Sequence, residues 1–110
     1  MEIINEIKQE ILRNIKLGQE GIILLKGVSM EPTMHDGTLL YVQSCSDYSV
    51  GDIVVFCYQG EGYLVHRIIE INKGAVLCKG DNSNRIEVII KRQIVGKVVR
   101  FVNGECVYEI

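Results

Sequence analysis

Ser29, His66 and Asp81 are of the residue types that together perform acyl transfer. Ser29 lies in Lys26-Gly27-Val28-Ser29-Met30-Glu31-Pro32-Thr33, between a glycine and the only proline of the chain. A rigid bend there aims a hydroxyl outward, but serine holds its proton at neutral pH and needs a neighbouring base. Of the two histidines, His35 sits in the polar turn Met34-His35-Asp36-Gly37 and reads as a solvated loop residue. His66 sits inside the apolar run Tyr63-Leu64-Val65-His66-Arg67-Ile68-Ile69, where alternation groups it with Leu64 and Ile68. An imidazole on such a face costs desolvation unless its ring nitrogens find partners. A carboxylate on its far nitrogen would fix the tautomer. Asp81, in Cys78-Lys79-Gly80-Asp81-Asn82, follows His66 by 15 residues and opens the turn that ends the next strand. A hairpin would return it to the histidine. Asp52, after Gly51, is the competing acid, and either aspartate also reads as a turn former bonded to its own backbone.

These residues need a frame. Over residues 2–17, Ile3, Ile4, Ile7, Ile11, Leu12 and Ile15 recur at helical spacing, with Glu6, Gln9, Arg13 and Lys16 opposite. The spacing predicts an amphipathic helix covering one end of the core. Its polar face is mixed in sign, which disfavours a membrane anchor, although a peripheral membrane or export-machinery contact would use this helix. After Gly21 the period becomes that of strands, predicted at Ile22–Leu25, Leu39–Gln43, Ile53–Tyr58, Tyr63–Ile71, Ala75–Lys79, Glu87–Ile90, Ile94–Val102 and Cys106–Ile110. Gly, Asn and Asp separate them at hairpin spacing. The expected architecture is mainly β: a compact, mostly antiparallel domain over residues 21–110, preceded by one helix within residues 1–20.

Bulk properties exclude several classes. The 110 residues fit one domain, and 47% hydrophobic residues allow one modest core. A net charge of −2, with no Lys/Arg run beyond two residues, gives no footprint for nucleic acid. No apolar run approaches a bilayer span, and the acids among the first isoleucines are unlike a signal peptide, so a cytoplasmic chain is expected. Cys45, Cys57, Cys78 and Cys106 form no Cys-x-x-Cys pair. They are expected as reduced thiols, with Cys57 and Cys78 filling strand positions as small hydrophobes, and with neither metal nor cofactor.

The order of Gly27-Val28-Ser29-Met30-Glu31-Pro32-Thr33, Asp36-Gly37, Gly51-Asp52-Ile53-Val54-Val55-Phe56, Leu64-Val65-His66-Arg67-Ile68-Ile69, Lys79-Gly80-Asp81-Asn82 and Ile94-Val95-Gly96-Lys97-Val98 resembles the type I signal peptidases. It is also similar to the wider clan that includes the self-cleaving SOS repressors. The resemblance spans residues 22–102 and implies a twisted β-fold around a catalytic site. It implies Ser29 as nucleophile and Asp81 as the acid of the Gly-Asp-Asn motif. His66 stands where bacterial signal peptidases and SOS repressors carry lysine; endoplasmic-reticulum and spore-former types carry histidine. The backbone N–H of Ser29 would donate to the oxyanion. Gly27 stands where bacterial enzymes often add a serine hydroxyl, so a second donor is not identified. The resemblance further implies an extended peptide bound at a strand edge with small side chains at the cut.

Three functions compete. The first is a serine endopeptidase acting on a leader, signal or precursor peptide through Ser29 and His66. The second is a non-catalytic module of the same fold that holds a peptide or partner. The third is a self-cleaving repressor fragment. It is disfavoured because residues 1–21 show no helix-turn-helix and no Ala-Gly or Cys-Gly bond occurs.

Overall fold

The computed structural model describes residues 10–110. Helix α1, residues 10–16, is followed by strands β1 (Gly21–Leu24), β2 (Leu39–Gln43), β3 (Ile53–Tyr58), β4 (Gly62–Asn72), β5 (Ala75–Lys79), β6 (Ile86–Ile90), β7 (Ile94–Asn103) and β8 (Cys106–Glu109). All eight predicted strands are present, each within one residue of its expected bounds. The part of the predicted helix at residues 2–9 lies outside the described residues.

The strands form one antiparallel sheet in the order β1-β2-β7-β3-β4-β5-β6, with β8 also paired to β7. Its bend comes from strands that change partner along their length. β4 pairs with β3 from Gly62 to Arg67 and with β5 from Arg67 to Asn72, with a register shift between Ile68 and Glu70. A bulge of this kind bends the strand and raises its twist. His66 sits one residue before the handover, so β5 leaves the outer edge of β4 uncovered beside it.

β3 explains how one sheet encloses two cores. Ile53 and Val55 face a cluster with Leu12, Ile15, Met30, Met34 and Leu40, whereas Val54 and Phe56 face a cluster with Ile68, Val76, Cys78 and Ile89. Every residue from Ile53 to Phe56 is buried, as expected of a central strand enclosed on both faces. α1 closes the first cluster with Leu12 and Ile15, leaving Arg13 and Lys16 exposed. Ile15 rests in a notch that only glycines leave open. A Cβ at Gly21 would lie 2.5 Å from Ile15 Cδ1, and one at Gly96 would lie 3.0 Å from Ile15 Cγ2. Among the described residues no helix is long and apolar enough to cross a membrane.

All four cysteines are free thiols, but the expectation for Cys57 is corrected. Cys78 is buried as predicted; Cys57 is exposed. It falls at the open end of β3 beside the hairpin turn, past the core that covers Ile53 and Val55. The Cys78 thiol is pushed up to about 12, first by burial and then by the charge of Glu87. Its thiolate fraction near neutral pH is therefore roughly a thousandfold below that of an ordinary thiol. In the native protein, a thiol-titrating disulfide reagent should modify Cys57 and Cys106 and leave Cys78 silent until denaturant is added. Rapid native modification of Cys78, located by mass spectrometry, would contradict this packing.

Candidate active site

The 25–38 segment is a loop pinned at both ends. Leu25 and Thr38 close its base, with Leu25 N–H donating to Thr38 C=O at 2.9 Å and Gly37 N–H to Leu25 C=O at 2.8 Å. Gly27 adopts φ 95°, a left-handed conformation that a glycine takes without strain, and donates its N–H to Asp36 Oδ1 at 2.7 Å. Met30 and Met34 are fully buried in the first cluster. Each contributes about 1.5–3 kcal/mol of burial and anchors the loop beside Ser29. Ser29 lies half-buried between exposed Val28 and buried Met30.

A second clamp comes from the turn after β5. Asn82 N–H donates to Ser29 C=O at 2.8 Å, and Asn82 Nδ2 donates to Val28 C=O at 3.2 Å. The turn fits because residue 80 lacks a side chain. A Cβ at Gly80 would lie 2.6 Å from Ser29 O and 3.1 Å from His66 Nε2. Gly80→Ala should therefore fold with a modest stability loss, about 1–3 kcal/mol of overpacking. It should also displace the serine and cost on the order of 100-fold in any Ser29-dependent rate. Circular dichroism with an acylation assay separates the two; an unchanged rate would mean the loop tolerates the shift.

Ser29 Oγ and His66 Nε2 are 3.1 Å apart. On the other side of the ring, His66 Nδ1 meets Glu87 Oε1 at 2.6 Å. Glu87 has no exposed surface and His66 is 5% exposed. A carboxylate only accepts hydrogen bonds, so with Glu87 in that form the Nδ1–Oε1 contact puts a ring proton on Nδ1 and, in a neutral ring, leaves Nε2 as the acceptor toward the serine. The Glu87 oxygens are both engaged, Oε2 by Arg85 Nε at 2.9 Å. This satisfies a charge whose burial would otherwise cost several kcal/mol.

Asp81, expected beside the histidine ring, is elsewhere. Arg67 grips its carboxylate with Nε on Oδ1 and Nη2 on Oδ2, both at 2.9 Å, and Thr33 Oγ1 donates to Oδ2. The hydrogen bonds from Arg67 and Thr33 hold its carboxyl below the usual range against the opposing effect of burial. Arg67 Nη1 also reaches Gly51 C=O at 2.9 Å, so this ion pair ties the Gly-Asp-Asn turn to the β2–β3 connection. The turn comes near His66 as the hairpin spacing predicted, but it brings Gly80 to the ring and points the aspartate at the neighbouring arginine. Asp52 is not at the ring either: its Oδ2 accepts from Ser49 N–H at 2.9 Å, a local turn contact. His35 pairs with Glu31 in the exposed part of the loop.

Glu87 was missed because one acid in Ile86-Glu87-Val88-Ile89-Ile90 looks like the solvent face of an alternating strand. The strand is inverted: Glu87 and Ile89 are buried, while Ile86, Val88 and Ile90 are exposed. The logic that singled out His66, a polar side chain within an apolar strand, applies equally to Glu87.

A groove of about 490 Å³ runs past these residues. Ile22, Ile23 and Leu24 form one wall and Tyr63, Leu64 and Val65 the other, Ile11 and Leu12 of α1 contribute, and Ser29, His66 and Lys26 supply the polar part. A nucleophile–base contact with a buried acid behind it, at the side of an apolar groove, is an arrangement suited to acyl transfer. The sequence matches the Peptidase S24-like family over residues 6–99. The chain belongs to that family. No curated protein matches it in sequence. Membership makes this a peptidase-type domain, and within that family fold the groove and the Ser29–His66 contact occupy one side of a mainly β molecule.

Proposed function

We propose that this chain is a serine endopeptidase that cuts a leader, signal or precursor peptide, with Ser29 as nucleophile, His66 as base and Glu87 as the acid that orients His66. The observation that carries this reading is the hydrogen-bonded line from Ser29 Oγ through both ring nitrogens of His66 to the buried Glu87 carboxylate. His66 Nε2 takes the hydroxyl proton as Ser29 Oγ attacks the peptide carbonyl. The Ser29 N–H donates to the oxyanion, and the tetrahedral species collapses as His66 returns the proton to the leaving amine. Water, deprotonated by His66, then releases the acyl group. Glu87 stabilises the imidazolium that accompanies each of the two tetrahedral species. Asp81 acts on the loop rather than on the proton, through Arg67 and Thr33.

The substrate is an extended segment. β1 is an edge strand, and Leu25 uses both backbone groups toward the β2 side. Alternation therefore turns the N–H and C=O of Ile22 and Leu24 to the outer edge, where a peptide adds as a further strand. The aliphatic groove walls favour apolar side chains on the bound segment.

A fluorophosphonate probe with tandem mass spectrometry tests this, alongside cleavage of apolar precursor peptides. Covalent label on Ser29 together with peptide cleavage is expected. If native protein neither acquires label nor cuts any peptide, the enzyme reading falls and a peptide-holding module of the same fold replaces it.

A further inference from the structure

The line of polar contacts continues beyond Glu87. Arg85 Nε holds Glu87 Oε2 at 2.9 Å, and Arg85 Nη1 reaches Glu61 Oε1 and Oε2 at 3.0 and 3.1 Å. Glu61 lies in the turn between β3 and β4, and the guanidinium also sits 5.7 Å from the Tyr58 ring centroid. Glu87 has no exposed surface, whereas the Arg85 side chain is 52% exposed. One residue therefore connects a fully buried carboxylate with the solvent side of the molecule.

We propose that Arg85 is a positioning residue that sets the proton affinity of the His66–Glu87 pair, and with it the pH at which Ser29 becomes reactive. The pH-of-activation part rests on the reading of Ser29 and His66 as reacting groups. His66 Nδ1 and Glu87 Oε1 are 2.6 Å apart, so a charge held on the carboxylate acts directly on the imidazole. A fixed positive charge on the far oxygen of the carboxylate opposes adding a proton to either group, so its removal raises the proton affinity of the pair wherever that proton resides. His66 is faced by Ser29 from the loop, by the Phe56 ring of β3 and by Gly80 from the turn after β5. Glu87 is faced by Cys78 of β5 and by Arg85, the residue before β6. Cys78 stays neutral across the working range, Arg67 is matched by Asp81, and Lys26 lies in the groove. Among the described residues, Arg85 is thus the cation in direct contact with the pair.

The direct measurement is an imidazole NMR titration of Ser29→Ala protein with and without Arg85→Gln. Only two histidines are present, so His35 serves as an internal reference. Arg85→Gln is expected to shift the His66 titration upward and leave that of His35 in place. Arg85→Lys, which keeps the charge, should restore most of the original value. With the serine intact, the acidic limb of fluorophosphonate acylation should move upward with Arg85→Gln by the same amount. Glu61→Gln removes the tether but keeps the cation, and should move the titration slightly downward; this variant decides the matter if Arg85→Gln does not fold. An unmoved or lowered His66 titration in Arg85→Gln, or an upward move in Glu61→Gln, overturns the proposal. A merely structural role would lower the rate at every pH without shifting the limb. If native protein is not acylated at all, the peptidase reading fails separately, and the NMR titration still decides the role of Arg85.

Discussion

Ser29→Ala and His66→Ala are each expected to abolish peptide cleavage and probe acylation, lowering kcat by on the order of 10⁴-fold or more. The expectation is sharp because neither change disturbs what holds the loop. The loop is kept in place by Met30 and Met34 in the core, by the Leu25–Thr38 closure, and by Asn82 on the Val28 and Ser29 carbonyls. The Ser29 hydroxyl contributes only its contact with His66 to that set. The Ser29→Ala protein should therefore match the native one in its far-ultraviolet spectrum and thermal midpoint, and should still bind peptide in the groove, whereas His66→Ala leaves the buried Glu87 carboxylate short of a partner and should also lose stability. Nucleophile and base act as one unit, so the double variant should be scarcely slower than either single one. Retention of more than about one-hundredth of the native rate in Ser29→Ala would remove Ser29 from the mechanism.

Glu87→Gln should come close to the same loss, about 10³–10⁴-fold in kcat, while Asp81→Asn costs far less. Glutamine keeps the shape of Glu87 but can present an N–H to His66 Nδ1. That places the ring proton on Nε2, facing the serine, where a base must be empty. It also leaves Arg85 without its buried counter-charge. Asp81→Asn instead weakens the two-bond grip of Arg67, and its effect is on stability. The sign follows from the direction of the shift. The Asp81 carboxyl is held below the usual carboxylate range, so its contribution is complete above the unfolded value near 4 and disappears as pH falls through the depressed folded value. Denaturant midpoints for native and Asp81→Asn protein should differ at pH 7 and converge toward strongly acidic pH. Peptide cleavage at pH 7 provides the comparison with Glu87→Gln; if Asp81→Asn proves the more damaging of the two to kcat, the assignment of the acid is reversed.

Much of the frame was legible because each strand carries its own signal. Ile53–Tyr58 and Ala75–Lys79 are short β-branched runs bounded by turn formers, and they fold as read. Ser29 and His66 were legible for a related reason, since a polar group in an apolar or rigid setting needs a partner. What sequence spacing could not supply was direction. Asp81 lies in the turn that reaches the site, yet its side chain follows the guanidinium of Arg67, one residue along from the histidine on the opposite face of β4. Glu87 belongs to a strand whose apolar residues face outward, so alternation alone assigns it to the wrong side. Cys57 shows the complementary limit: alternation names its face correctly, but the end of the core is set by packing of distant segments.

Helix α1 reaches the chemistry without touching it. Ile15 is seated against Gly21 and Gly96, and Ile11 and Leu12, one turn earlier, line the groove beside Ser29. One part of the groove wall is thus a docked insert whose depth is set by how far a single isoleucine enters its notch. A methyl group added at residue 21 would lift that insert and recut the groove while leaving the contacts among Ser29, His66 and Glu87 in place. The shape of the groove and the contacts of the proposed proton path are thus held by different residues, Ile15, Gly21 and Gly96 for the one and Ser29, His66 and Glu87 for the other.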